Sequence, residues 1–102
     1  MNSLKKKEGD FLRLLLSTSN AQRRALLNTI NKSQLYGIVQ IVYNVLVNNR
    51  ILPDNDKKIL TKHKRIIRRF VSKGIAYVER KRILQKYYKH ISKFLKVIQS
   101  EL

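Results

Sequence analysis

The chain has 102 residues, 43% of them hydrophobic, and a formal charge of +17 from 23 basic and six acidic side chains. That length and apolar content suit one domain with a modest core, and they exclude a disordered basic tail, which would need low hydrophobicity as well. The absence of cysteine excludes a disulfide framework and a thiolate metal site, leaves packing alone to hold the fold, and fits a reducing, intracellular compartment.

Residues 1–9 read as a basic flexible arm, and residues 10–102 as a single helical domain. Lys5, Lys6 and Lys7 ahead of Phe11–Leu16 superficially resemble a signal peptide. Glu8, Asp10 and Arg13 interrupt that pattern and no small-residue cleavage site follows, so a short helix from Asp10 is expected. No apolar run of about 18 residues occurs, which excludes a membrane-spanning helix on length.

Ser17-Thr18-Ser19-Asn20 stops the first helix and supplies caps for a second, AQRRALLNTI, with Ala21, Ala25, Leu26 and Ile30 as its expected face. Asn31-Lys32-Ser33 repeats the signal. The third segment, QLYGIVQIVYNVLVNN, is apolar almost all round: Leu35, Ile38, Val39, Val42, Val45 and Leu46 form one stripe, and Tyr36, Ile41, Tyr43 and Val47 extend it. Its β-branched residues also suit a strand. Its length without a turn signal decides for helix, and the pattern predicts a central helix with neighbours on most sides. Gly37 within it implies close approach of another backbone.

Pro53 suits the first position of a fourth helix, where Asp54 and Asp56 complement the macrodipole. Ile59, Leu60, His63, Ile66, Ile67, Phe70 and Val71 follow at i, i+3, i+4 spacing, and Gly74 ends the helix. A fifth runs from about Tyr77 to Gln99, with Leu84, Tyr87, Tyr88, Ile91, Phe94, Leu95 and Ile98 on its apolar side. The expected architecture is all-α, a compact bundle of about five helices with an apolar central helix and a long basic C-terminal helix.

Charge is concentrated in residues 57–96, where ten Lys and five Arg face one acid, Glu79. Self-repulsion on that scale points to a polyanionic partner: nucleic acid first, with an anionic membrane or an acidic protein as alternatives. Lys58, Lys62, Arg65, Arg69 and Lys73 recur every three or four positions as one ridge, and Arg80, Lys86, Lys89, Lys93 and Lys96 form a broader band. Arg65, Arg68 and Arg69 are also candidates for guanine edges, although nothing marks a recognition helix. A membrane partner is the weaker alternative, because the apolar faces are needed for one core. A helix-turn-helix over residues 20–47 fails because its second helix would be almost wholly apolar.

Tyr77, Tyr87, Tyr88 and Phe94 offer base-stacking surfaces, but aromatics at helical spacing are expected in the core or at its boundary. His63 is expected partly buried and hydrogen-bonded. Two histidines with scattered acids do not make a metal site, and no Gly-rich phosphate loop, activated nucleophile or carboxylate pair is present, so neither cofactor nor enzymatic activity is expected.

LLLSTSNAQRRALLNTI, then YNVLVNN, ILPDNDKKILTKHKRIIRRFVSK and VERKRILQK, resemble in their order the small basic helical proteins of Polinton or Maverick elements and adintoviruses. The shared features are Gln22, Arg23, Leu26 and Leu27, the helix end Asn44-Val45-Leu46, the Pro-started helix with Lys62-His63-Lys64, and a Lys/Arg cluster; they span about residues 11–86. The Gly-Gly-Phe-Leu end common in that family is replaced by a long helix. The resemblance implies a virion-associated or element-encoded protein near packaged DNA. It favours DNA over RNA and admits capsid protein as a partner.

Overall fold

A computed structural model describes the backbone of residues 6–48 and 52–101 and the side chains of residues 9–48 and 52–97. Six helices follow in order: α1 Lys6–Ser17, α2 Asn20–Asn28, α3 Lys32–Val47, α4 Asp54–Lys62, α5 Lys64–Val71 and α6 Tyr77–Glu101. No strand occurs among the described residues. The all-helical class holds, and the third segment is helical despite its β-branched content. The molecule measures 31 × 28 × 25 Å along its principal axes.

Local signals act where the sequence places them. Ser19 caps α2 by accepting from the Gln22 amide, and Asn31 and Gln34 form a reciprocal capping box at the start of α3. Pro53 sits one position earlier than expected, at the N-cap of α4, with Asp54 and Asp56 in the first turn. Gly74 has φ +84°, the left-handed conformation that lets the chain leave α5 and turn into α6.

Two boundaries differ markedly from expectation. Helix α1 starts at Lys6, so Lys6–Gly9, assigned from sequence to the arm, form its first turn. Residues 1–5 of that arm lie outside the described residues. The single fourth helix is divided at His63, whose φ of −110° and ψ of 20° lie in the sparsely populated bridge region.

The backbone ladder survives that bend: the His63 amide donates to the Ile59 carbonyl, and the His63 carbonyl accepts from the Ile67 amide. Two features favour the bend. The Thr61 hydroxyl donates back to the Lys57 carbonyl, a bond that often bends helices. A straight helix would also continue the basic run through the bend, setting Lys62 and Arg65 one turn apart as like-charged neighbours. Helix α6 has its own break at Tyr87, with φ −107° and ψ 16°.

The core is one cluster to which every helix contributes. Leu35, Ile38, Val42 and Val45 of α3 meet Leu84, Ile91, Phe94 and Leu95 of α6, with Ile67 and Phe70 of α5, Leu60 of α4, Leu27 of α2, and Leu12 and Leu15 of α1 completing it. Helix α6 packs against all five of the others, so the long basic helix is also the hub of the fold. Helix α3 is buried along its main stripe and at Gly37 and Ile41 beside it, but not all round. Tyr36, Tyr43 and Val47 are exposed on its far side, where an interior helix was expected to be covered. Ile98 lies outside the described side chains.

Candidate nucleic-acid interface

The ridge on α6 is built by helical repetition. Lys86, Lys89, Lys93 and Lys96 recur at three- and four-residue intervals, and all are exposed because Leu84, Ile91, Phe94 and Leu95 on the opposite side are committed to the core. Beside them stand Arg23 and Arg24 of α2. Together these six cations border a cleft of about 840 Å³ between α2 and α6, floored by Leu16, Leu27, Tyr88 and Ser92 and containing no acidic residue.

Arg23 and Arg24 were not among the phosphate-binding candidates read from sequence. The expected face of α2 was Ala21, Ala25, Leu26 and Ile30, yet both alanines are exposed and Leu27 is buried with Ile30, so the helix is rotated from that expectation. The larger Leu27 side chain gains more from burial than alanine does. With Leu27 and Ile30 inward, Arg23 comes to lie over the Tyr88 ring, its guanidinium carbon 4.8 Å from the ring centre.

Tyr88 is itself buried, its hydroxyl 3.5 Å from the Leu15 carbonyl. Burial pushes its pKa up, opposed by the charge of Arg23. Phe94 is fully buried, and Tyr77 donates to the Ile30 carbonyl, so these aromatics contribute to the core and its boundary. Lys81 and Gln85 of α6 bond to the carbonyl and side chain of Asn28, fastening the two walls of the cleft.

The positive surface continues past α6. His63 stacks on His90, and Tyr87 lies 6.1 Å from His63 between centroids. His63 is half-buried, as expected, and makes these ring contacts. Burial lowers the pKa of His90, and the charges of His63, Lys89, Lys93 and Lys62 of α4 lower it further. The Nδ1 atom of His90 is buried without a hydrogen-bond partner. No group of three His, Cys, Asp or Glu side chains suited to a metal ion occurs among the described residues.

The bend at His63 cuts the expected ridge into two parts. Lys58 and Lys62 belong to α4, whereas Arg65, Arg68 and Arg69 belong to α5, with Lys73 just beyond it. All are exposed, but Arg69 is not a free charge. Its Nε donates to Glu79 over 2.5 Å, and that hydrogen bond and charge hold the Glu79 carboxyl below its usual range. Arg80 is half-buried and donates to the Ser72 carbonyl, tying α6 to the end of α5. Of the residues singled out from sequence, Arg69 and Arg80 are therefore engaged within the protein, and Lys86, Lys89, Lys93 and Lys96 are brought together at one cleft.

Comparison with protein-family models, with curated proteins and with solved structures finds no match to this chain.

Proposed function

We propose that this protein is a non-enzymatic, largely sequence-independent DNA-binding protein. The observation that carries the reading is the cleft where Arg23, Arg24, Lys86, Lys89, Lys93 and Lys96 meet without one acid. Six cations, four of them at helical spacing along α6, suit several phosphates of one backbone, and phosphate contacts position a protein without reading sequence. The lack of a polar recognition helix on the same surface argues for backbone binding over base readout. The resemblance to proteins of virus-like DNA elements supports a place in the virion core, close to packaged DNA.

A bilayer is disfavoured as the partner of this surface. A helix that lies in a headgroup layer needs a free apolar face, whereas Leu84, Ile91, Phe94 and Leu95 of α6 are already buried inside the protein. No helix among the described residues is long and apolar enough to cross a membrane.

The test is binding to a random-sequence duplex as a function of salt. Engagement of six phosphates predicts that affinity falls by about a thousandfold between about 50 and 200 mM salt. The combined Arg24→Glu, Lys89→Glu and Lys93→Glu variant should lose most of that binding. A shallow salt slope, or unchanged binding by the variant, would overturn the reading.

A further inference from the structure

A second surface shares no residue with the α2–α6 cleft. It is a groove of about 970 Å³ between α3 on one side and α4 and α5 on the other. On its α3 wall Tyr36, Tyr43 and Val47 are 60%, 51% and 69% exposed. With Gln40 they stand at i, i+4, i+7 and i+11, a single stripe about 16 Å long at 1.5 Å per residue. Val39 and Leu60 form an aliphatic floor, with Val71 on the opposite wall. Three large apolar side chains in one stripe are more than scattered surface residues need explain, and such a stripe marks an interaction site.

The rim decides what fits. Lys64 and Arg68 stand one turn apart on α5, Lys73 follows, and no acid lines the groove. A second copy of this chain would oppose these cations to their own counterparts across a two-fold contact, which repulsion disfavours. The chain's own six acids are scattered and offer no complementary segment. A nucleic-acid strand would find phosphate contacts on the rim but only two rings on which to stack, with aliphatic carbon between them, whereas strand binders present successive aromatics. An amphipathic helix satisfies both halves of the groove at once, with its apolar side on the floor and its acids against the rim.

We infer that the α3–α5 groove docks an acidic amphipathic helix of about three to four turns from a protein partner, leaving the α2–α6 cleft free for DNA. The complementarity has two independent parts: a three-turn apolar stripe sets the length, and the three-cation rim sets the sign.

The experiment uses the full chain and a fluorescent probe peptide of about 16 residues, carrying Leu and Phe at i, i+3, i+4 and i+7 and Glu elsewhere. A peptide of identical composition in scrambled order is the control for charge alone. Measured by anisotropy at about 0.15 M salt, the amphipathic peptide should bind at least about tenfold tighter than the scrambled one. The Tyr36→Ala, Tyr43→Ala double variant should weaken it by about tenfold or more, the loss typical of central aromatic anchors. Arg68→Glu and the single change Val47→Ser should also weaken it, and thermal melts of these exposed-site variants verify folding.

Equal binding of the two peptides would overturn the inference, as would an oligothymidine that displaces the probe and itself loses affinity in the tyrosine variant. Self-association that disappears in Tyr43→Ala would overturn it in favour of a second copy. Duplex binding by the Tyr36→Ala, Tyr43→Ala double variant and by Val47→Ser separates the two readings: it should be unchanged there, and lost only when the α2–α6 cleft is altered.

Discussion

His63 stacks on His90 with ring centroids 4.2 Å apart and planes 24° apart, joining the bend between α4 and α5 to the second half of α6. Lys62, Lys89 and Lys93 bear on this pair, and Tyr87, at the break in α6, lies beside it. Burial and then these charges make His90 harder to protonate in the folded protein than at its ordinary value of about 6.5. The unfolded chain consequently takes up the proton first as pH falls. The contribution is fully present above that ordinary value and is lost as pH drops from there through the lower folded value.

The melting temperature should therefore decrease between about pH 7.5 and 5.5, a window above the ordinary carboxylate range. His90→Gln should flatten that decrease. Identical pH slopes for the two proteins would rule out His90 as the cause. Bound DNA, by supplying negative charge near the pair, should reduce the wild-type slope.

Arg24 and Arg23 stand opposite the lysines of α6, so they should matter as much as residues that belong to the more conspicuous basic run. Arg24→Glu is expected to weaken duplex binding at least as much as Lys89→Ala and to lower the salt slope by about one. Arg69→Ala should change DNA affinity less than Lys89→Ala, because its guanidinium is engaged by Glu79. Salt titrations of the single variants give the ranking directly.

Phe94 is fully buried where α6 meets the other helices. Phe94→Ala should cost about 3–5 kcal/mol through lost burial and an unfilled cavity. Against a total of about 5–15 kcal/mol for a typical domain, that is enough to leave the fold marginal. Tyr36→Ala, at an exposed position, should stay within about 0.5 kcal/mol of the wild type. Urea unfolding of both variants checks the contrast.

Gly74 adopts φ +84°, and a Cβ placed there would meet nothing within 4 Å. The cost of Gly74→Ala is thus conformational and not steric crowding by neighbours, and should be about 1–2 kcal/mol. Gly74→Asn should cost less, since asparagine tolerates this region better. A larger loss for Asn than for Ala in chemical denaturation would contradict the account.

What could be read from sequence was whatever local chemistry determines. Ser19, Asn31 and Asp54 mark helix starts because their caps and charges act within one turn, and the i, i+3, i+4 spacing of Leu60, Ile67 and Phe70 survives the bend between them. The bend itself has no such signature. His63 continues the apolar spacing, and only the crowding of like charges around it hints that a straight helix is strained. Helix α3 was read as interior because Tyr36, Tyr43 and Val47 are apolar; Gln40 in the middle of that stripe was the sign that it faces outward. Arg23 and Arg24 were missed for a different reason. Their neighbours in the cleft are some 60 to 70 residues further along the chain, and only the rotation of α2 by Leu27 brings them there.

The size of the molecule sets a limit on how it would be used. Duplex DNA presents one negative charge per about 1.7 Å of axis, so the formal charge of +17 is matched by about 29 Å of helix. The longest dimension of the protein is 31 Å. Molecules laid side by side along the proposed duplex would reach electrical balance at almost the density at which they run out of room, so a coated strand would carry little residual charge and neighbouring strands could approach closely.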